Sequence, residues 1–289
     1  DHLETVLEIQ ADHFQHLTYS EAQFKTEALT VKGEYLKNNA SPIRKLLAAV
    51  RKEAFDSHTY KHTTMGFFED VEAMPEQAAY GKKFFQQFYK PEYVSLVIVG
   101  DVEPTETMAM VEKHWGGWKK GDFVSDIKPE PKQQAPKYVH EKFDGLPGHW
   151  LLVSYKGADW QPKQKDRAAL DLISELYFSS NSALYQELVV EKQLASQMFN
   201  YNPETKDAGL RHVFIKVNEE KDLATVRDAI NSTYAQVRTD LVSAEKLDNL
   251  KSNLKYSFVN SLDSSESIAS TLASYMHFDR DPETINHLY

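Results

Sequence analysis

Glu27 and Glu34 are the first residues whose type and spacing could do chemistry. Both lie in a segment whose apolar pattern predicts a helix from Ser20 to about Lys37. Glu34 follows Glu27 by seven residues, which is two helical turns, so both carboxylates project from the same face of the helix. Spacing alone does not separate a reactive pair from two solvated glutamates on an exposed stripe, and solvated glutamates are the commoner arrangement.

Two pairs of histidines have spacings that also occur in metal sites. His58 and His62 are four residues apart, and on a helix such a pair can bind one metal ion. The serine and threonines around them, such as Thr59, make this segment a poor helix and favour loop histidines that only form hydrogen bonds. His13 and His16 are three apart on a predicted helix, and the same alternative applies to them.

Other catalytic patterns are absent from the sequence. The chain has no cysteine, which excludes disulfides, thiolate metal sites and cysteine nucleophiles. It contains no phosphate-binding glycine loop, no Gly-x-Ser-x-Gly elbow and no H-E-x-x-H motif. The inverted H-x-x-E-H motif is missing as well, because none of the 11 histidines has the partners it requires.

Composition indicates a globular protein with a substantial core. The 289 residues are 41% hydrophobic and 26% charged, and no apolar run approaches the roughly 18 residues that a membrane span requires. The formal net charge is −10, and we find no basic patch of the kind that nucleic-acid-binding domains show. We therefore expect neither a membrane span nor a nucleic-acid partner, and the acidity indicates solubility.

The first half of the chain is predicted to be mostly helical and to end in a linker. Three prolines within residues 119–136 disfavour both helix and sheet, so this segment is predicted to connect a first domain, 1–118, to a second, 137–289. In the first domain we predict a loop at 66–74, a buried strand at 93–99, and helices at 3–17, 20–37, 42 onward, 75–89 and 104–115.

The second half is predicted to mix strands and helices. Helices outnumber strands and the strands come in pairs, which favours an α+β fold with helices packed on a mostly antiparallel sheet. The predicted strands are 137–143, 149–156, 195–202 and 210–218. The predicted helices are 162–178, 182–192, 220–238, 243–262 and 266–278.

Several blocks of the sequence, taken together and in order, resemble zinc peptidases of the pitrilysin/insulinase type. The segment FKTEALTVKGEY (24–35) is similar to the helical stretch that follows the active-site helix in that family. AFDSHTYKHTTMG (54–66) resembles the family's next block, and SALYQELVVEKQLA (182–195) resembles a characteristic helix of its second domain. Further similar blocks are residues 7–14, 69–74 and 96–102.

The resemblance implies a fold and a metal site. Members of the family have two similar α+β domains, each a mostly antiparallel sheet packed with helices, that form half of a clamshell around a peptide. An upstream H-x-x-E-H helix supplies two histidine ligands and the catalytic glutamate, and a downstream glutamate completes the Zn²⁺ site. By motif that glutamate is Glu34, and Glu27 falls on the acidic residue that supports the site from outside the ligand set.

Two departures from the family pattern qualify this expectation. The H-x-x-E-H helix would precede Asp1, so we expect the chain to be a fragment of a longer protein. The arginine and tyrosine that usually contact the bound peptide are replaced by Val189 and Ser196. That pattern resembles the metal-bearing subunit of a two-chain enzyme, a homodimer or a heterodimer with a related subunit that supplies these side chains.

Two functions of different classes follow from these observations. The first is a zinc endopeptidase that hydrolyses peptides or small unfolded proteins in an enclosed chamber. The second is a non-catalytic homologue that serves as a structural or peptide-binding subunit of a peptidase complex. Bacterial members of the family are often exported, so the resemblance also implies a periplasmic or other extracytoplasmic location.

Overall fold

The computed structural model describes residues 2–143, 148–161 and 165–288. Its strands are β1 (His149–Lys156), β2 (Ala195–Tyr201) and β3 (Leu210–Val217). Its helices are α1 (Leu3–His16), α2 (Glu21–Asn39), α3 (Pro42–Ala54), α4 (Phe68–Ala73), α5 (Ala78–Phe88), α6 (Pro104–Trp115), α7 (Lys165–Phe178), α8 (Ala183–Tyr185), α9 (Leu223–Val237), α10 (Ala244–Ser261), α11 (Ser265–Asp279) and α12 (Ile285–Leu288). Short 3-10 turns lie at Thr59–Lys61, Met74–Glu76, Pro91–Tyr93, Glu220–Asp222 and Pro282–Thr284.

Helices α1 to α6 are held together largely by aromatic side chains. The ring of Phe14 on α1 lies 5.4 Å from Tyr89 and 5.6 Å from Trp115, measured between ring centroids, and it also contacts Trp118. Leu7 on the same helix is buried. Aromatic rings bury large apolar areas, so this cluster joins α1 to the ends of α5 and α6.

The sheet has the order β1-β3-β2, and both pairings are antiparallel. Alternate residues of the central strand β3 face opposite sides of the sheet. Val213, Ile215 and Val217 belong to the main hydrophobic core, whose further members come from α7, α8 and α9 and include Phe178, Leu184, Val226 and Ile230. Fully burying one such side chain contributes about 1.5–3 kcal/mol, so this core is the principal stabilising element of the second half.

The predicted α+β fold is confirmed, because helices pack against a small antiparallel sheet. The predicted strands 149–156, 195–202 and 210–218 and most predicted helices agree with the structure to within a few residues. The predicted start of the helix at 162–178 falls partly on residues outside the described part of the chain. All of residues 119–136 are described, and they form neither helix nor strand; the domain boundaries on either side of them stay a prediction.

Three of the predicted elements are wrong. The predicted loop 66–74 contains α4, which Val71 anchors to the core with 1% of its surface exposed. Residues 93–99 form no strand, although Val94 has extended backbone angles, because no described segment pairs with them. Residues 137–143 also lack a pairing partner among the described residues, and all but the last are exposed. An extended segment becomes a strand only when a second one supplies its hydrogen bonds.

Candidate functional site

Helix α2 carries the two candidate glutamates and is fixed at its start by local hydrogen bonds. Ser20 Oγ accepts a bond from the backbone N–H of Gln23, and the Gln23 side chain accepts one from the backbone N–H of Ser20. This reciprocal capping satisfies two donors that a helix start would leave unpaired. The predicted beginning of the helix is therefore confirmed, and the position of every later residue on α2 follows from it.

One face of α2 packs against the following helices. Ala28 is buried, and the Tyr35 ring lies 5.4 Å from the Phe68 ring of α4. An ion pair with a Lys32 Nζ to Glu72 Oε1 distance of 2.9 Å joins the two helices at the surface. These contacts fix the rotation of α2 about its axis and so determine which residues face outward.

Glu27 and Glu34 lie together on the outward face, as their spacing predicts, and both are exposed. Neither forms an ion pair or a side-chain hydrogen bond with the described residues. Their Cα atoms are separated by about 10.5 Å along the helix axis, from a rise of about 1.5 Å per residue.

The described residues supply only part of a metal site. They contain no group of three or more histidine, aspartate or glutamate side chains that could hold an ion. Glu34 fits a ligand role chemically, because its carboxylate is accessible and has no competing partner in the described chain. A tetrahedral zinc site with an open position for water needs two more protein ligands, and those would have to come from outside the described residues.

The candidate histidines make other contacts. His58 is buried; its Nδ1 accepts a hydrogen bond from the Tyr60 backbone N–H, and its Nε2 lies 3.3 Å from Asp207 Oδ2. His62 Nδ1 lies 2.8 Å from the Thr63 carbonyl oxygen, to which it donates. The structure therefore places both histidines in hydrogen-bonded loop positions. This agrees with the alternative interpretation, that they are loop histidines and not a metal-binding pair. His16 lies near Asp12 on the exposed end of α1.

Val189 and Ser196 occupy irregular backbone. Val189 lies in a π-helical turn, Gln186–Glu191, that continues α8, and its side chain packs partly against the core. Ser196 is exposed at a β-bulge, where the pairing of β2 with β3 skips a residue between Ala195 and Gln197. Both kinds of irregularity are over-represented at functional sites, because each re-aims a side chain relative to regular structure.

Glu130 is a residue of structural importance that the sequence reasoning missed. From Val124 to His140 every residue except Glu130 is exposed. The Glu130 carboxylate accepts hydrogen bonds from three consecutive backbone N–H groups, those of Asp56, Ser57 and His58, at 2.8–2.9 Å. The proline-flanked segment is therefore attached to the loop after α3. Its flanking by Pro129 and Pro131 was the only sequence signal.

Contacts around Glu130 join the two halves of the chain. Burial by itself would raise the pKa of Glu130, but the three backbone bonds and the nearby Lys156 ammonium outweigh it and lower the pKa to about 2. Lys156, at the end of β1, places its Nζ 3.2 Å from the centroid of the Phe55 ring and 3.8 Å from Glu130 Oε1. Its pKa is lowered, chiefly by burial. This cluster fixes β1 against the end of α3.

Comparison with known proteins identifies the family. The family model described as the peptidase M16 inactive domain matches residues 81–254, which is more than half of the chain. The chain belongs to the peptidase M16 family. This confirms the resemblance to pitrilysin-type peptidases. The matched region begins in α5, so Glu27 and Glu34 on α2 lie outside the part that the family model describes as inactive.

Curated relatives include bacterial zinc proteases. The chain is 29% identical over 279 residues to the zinc protease PqqE of Helicobacter pylori, a match that covers 95% of this chain and 62% of PqqE. It is 23% identical over 268 residues to the uncharacterized zinc protease YmxG of Bacillus subtilis, covering 92% of this chain and 63% of YmxG. The chain thus spans less than two thirds of the length of these relatives.

Solved structures share the fold. A crystal structure of a protease from Helicobacter pylori superposes with a TM-score of 0.87 at 28% identity, over 99% of this chain and 69% of that one. The peptidase M16 inactive domain from Pseudomonas fluorescens gives a TM-score of 0.80 at 16% identity, over 99% and 67%. The first half of the periplasmic protease PqqL from Escherichia coli gives 0.67 at 17% identity, over 99% and 63%. The latter two likenesses concern the fold alone.

Proposed function

We propose that this chain is part of a zinc-dependent endopeptidase that hydrolyses peptides or small unfolded proteins in an enclosed chamber. Membership of the M16 family and similarity to proteins named zinc proteases support the class of reaction. The observation that carries the proposal is the pair Glu27 and Glu34 on the outward face of α2, with no partner among the described residues.

Other exposed residues of α2, outside the face that carries Glu27 and Glu34, have properties of a surface that another segment covers. Leu29 and Leu36 are 54% and 53% exposed on this helix. Gly33, next to Glu34, has nothing within 4 Å of an added Cβ atom in the described structure. Glycine inside a helix costs about 1 kcal/mol relative to alanine. A segment that approaches the backbone closely at Gly33, and brings the remaining ligands to Glu34, would account for that cost.

In this proposal Glu34 is a metal ligand and Glu27 supports the site. Two histidines and the catalytic glutamate come from an H-x-x-E-H helix in the full-length protein. A zinc ion held by these three protein ligands would acidify a bound water and polarise the scissile carbonyl. Glu27 holds its charge about two helical turns from Glu34, where it can accept a hydrogen bond from a ligand histidine and orient the ring.

The proposal includes a partner chain. Val189 and Ser196 cannot replace an arginine and a tyrosine in binding a peptide, because a valine has no hydrogen-bonding side chain and a serine is short. A related subunit in a heterodimer would supply them, whereas a second copy of this chain in a homodimer would carry the same valine and serine. An extracytoplasmic location is also part of the proposal; the fold relative PqqL of Escherichia coli is named a periplasmic protease. In the described part of the chain no helix is long and apolar enough to cross a membrane.

Peptide hydrolysis by the full-length protein tests the proposal. We expect cleavage of an unfolded protein or peptide mixture that stops on chelation and returns when zinc is added back. Adding a related subunit should increase the rate if the partner supplies the missing side chains. Cleavage that persists after complete removal of metal would contradict the proposal.

A second candidate function is a non-catalytic subunit that binds peptides or supports a peptidase complex. One observation favours it: the matched family model is described as inactive. Zinc content of the full-length protein separates the two functions, because a non-catalytic subunit without the upstream motif would bind no zinc at Glu34.

A further inference from the structure

A cleft of about 230 Å³ lies between the two halves of the chain, and neither Glu27 nor Glu34 lines it. One side is formed by the end of α3 and the loop that follows it, and the other by the loop between β2 and β3. Interfaces between structural units are preferred places for small-ligand sites.

Arg51 is a half-buried cation in this cleft without a counter-ion in the described structure. It forms no ion pair and no side-chain hydrogen bond with the described residues, and no residue that lines the cleft is acidic. The two acids of the β2–β3 loop are engaged elsewhere. Glu204 pairs with Arg167, and Asp207 lies beside His58. The chain thus leaves a guanidinium, a group suited to bidentate binding of carboxylates, available to a ligand.

Hydroxyl groups line the same cleft as this cation. Thr59, Thr63, Thr64 and Thr205 line the cleft, and their hydroxyls form no hydrogen bond with the described residues. His62 directs its Nδ1 proton to the Thr63 carbonyl, so in the neutral ring Nε2 is an acceptor and does not bind an anion. The cleft therefore offers one positive charge and several hydroxyl donors that an oxyanion can use.

The remaining walls of the cleft are apolar. Phe55, Pro203 and Leu210 line the cleft, and Phe55 is 2% exposed. Gly209 shapes one side, because a Cβ added there would lie 2.6 Å from Thr205 Oγ1. A ligand for such a site needs an anionic group for Arg51 and a small apolar body for these walls. A volume of about 230 Å³ limits the ligand to a small molecule or to one end of a longer one.

We propose that this cleft binds the carboxylate of a small apolar organic acid, such as the free C-terminal residue of a peptide. The inference does not rest on the peptidase reaction, because the cleft shares no residue with the proposed zinc site. A peptide end and a free organic acid present the same carboxylate to Arg51, and length dependence of binding tells them apart.

Matched ligands test the proposal on the full-length protein. In calorimetric titration at about 0.15 M salt, N-acetyl-leucine should bind at least about tenfold more tightly than N-acetyl-leucinamide, which lacks the charge. Tighter binding of N-acetyl-Ala-Ala-Leu than of N-acetyl-leucine assigns the site to a peptide end, and equal binding assigns it to a small acid. Equal binding of the acid and its amide, or no binding of either, overturns the proposal.

A substitution at Arg51 tests whether the acid binds in this cleft. Arg51→Gln should weaken binding of N-acetyl-leucine about tenfold to a hundredfold and leave binding of the amide unchanged. Arg227→Gln is the control, because Arg227 is an exposed residue of α9 paired with its neighbour Asp228. If the two variants bind the acid equally well, Arg51 is not the anchor and the proposal fails. Circular dichroism verifies folding, and the comparison of acid with amide on the unmodified protein stays decisive if Arg51→Gln does not fold.

Discussion

Glu27 and Glu34 share a helix face, and the resemblance to pitrilysin-type peptidases gives them different proposed roles. Glu34 is the proposed zinc ligand. Glu27, about two helical turns away, is the proposed supporting residue, which would hydrogen-bond a histidine that itself binds the metal.

The Glu27→Gln variant of the full-length protein should retain zinc with an affinity about 10–100-fold lower, because a supporting residue orients a ligand without replacing it. Competition with a fluorescent zinc chelator measures this change. Glu21→Gln, an exposed glutamate in the first turn of the same helix, is the matched control and should bind zinc normally. Unchanged affinity in Glu27→Gln would remove Glu27 from the site.

The residue pattern predicted part of the site. Glu27 and Glu34 could be placed on one face because helix geometry depends only on separation along the chain. Glu130 and Arg51 could not be identified in this way. The three N–H groups that bind Glu130 belong to residues more than 70 positions earlier. The cleft at Arg51 forms only when the β2–β3 loop packs near the end of α3.

At the scale of elements, the segment that contains Glu130 acts as a strap between the two halves of the chain. It has no helix or strand of its own through residues 119–136, all of which are described, and it is held by Glu130 at the loop after α3. Near the same loop, Lys137 Nζ binds the Glu53 carbonyl and the Asp56 carboxylate, each at 2.8 Å. These contacts limit the motion of a segment that its own sequence leaves flexible.

Glu130→Gln should lower the free energy of unfolding by about 2–3 kcal/mol, because an amide has only one accepting oxygen for the three backbone bonds and lacks the negative charge that strengthens them. It should also speed cleavage of the strap in limited proteolysis. Asp126→Asn is the control, since Asp126 lies in the same exposed segment and pairs only with Lys128 at the surface. Equal stability and equal proteolysis in the two variants would show that Glu130 does not anchor the strap.

Helix starts that local residues mark could be predicted from the sequence. Whether an extended apolar run forms a strand could not, because that depends on a pairing partner elsewhere in the chain. The capping residues Ser20 and Ser41, and the proline at position 104, mark helix starts that the structure confirms. The apolar run 93–99 has the composition of a strand, but strand formation depends on a partner elsewhere in the chain. The small helix α4 was missed because only six residues form it and its stability comes from packing of Val71.

At the scale of the whole molecule, His212 and Glu130 make stability depend on pH in different ranges. His212 on β3 is 1% exposed, its Nδ1 lies 2.8 Å from Ser154 Oγ, and its Nε2 has no partner in the described chain. Burial, together with the positive charge of Arg51, lowers its pKa from 6.5 to about 4. The pKa of Glu130 is lowered from 4.5 to about 2.

The sign of each contribution follows from linkage. His212 must stay neutral in the folded state, so stability falls as the pH decreases from about 6.5 to about 4, by about 3 kcal/mol in total. Ionised Glu130 stabilises the fold above about pH 4.5, and this contribution is lost as the pH falls toward 2. Urea unfolding of His212→Gln between pH 7 and pH 4 should therefore show a weaker pH dependence than the unmodified protein. His16→Gln, which alters an exposed histidine, should show no such change, and equal slopes in all three would contradict the account.

The zinc content of the full-length protein and of its Glu34→Gln variant, determined by elemental mass spectrometry, tests the central claim most directly. We predict about one zinc ion per chain in the unmodified protein and little or none in Glu34→Gln, because an amide oxygen is a much weaker zinc ligand than a carboxylate. A Glu34→Gln protein that is folded and still holds one zinc ion would contradict the assignment of Glu34. An unmodified protein without zinc would contradict the metallopeptidase function and favour the non-catalytic subunit.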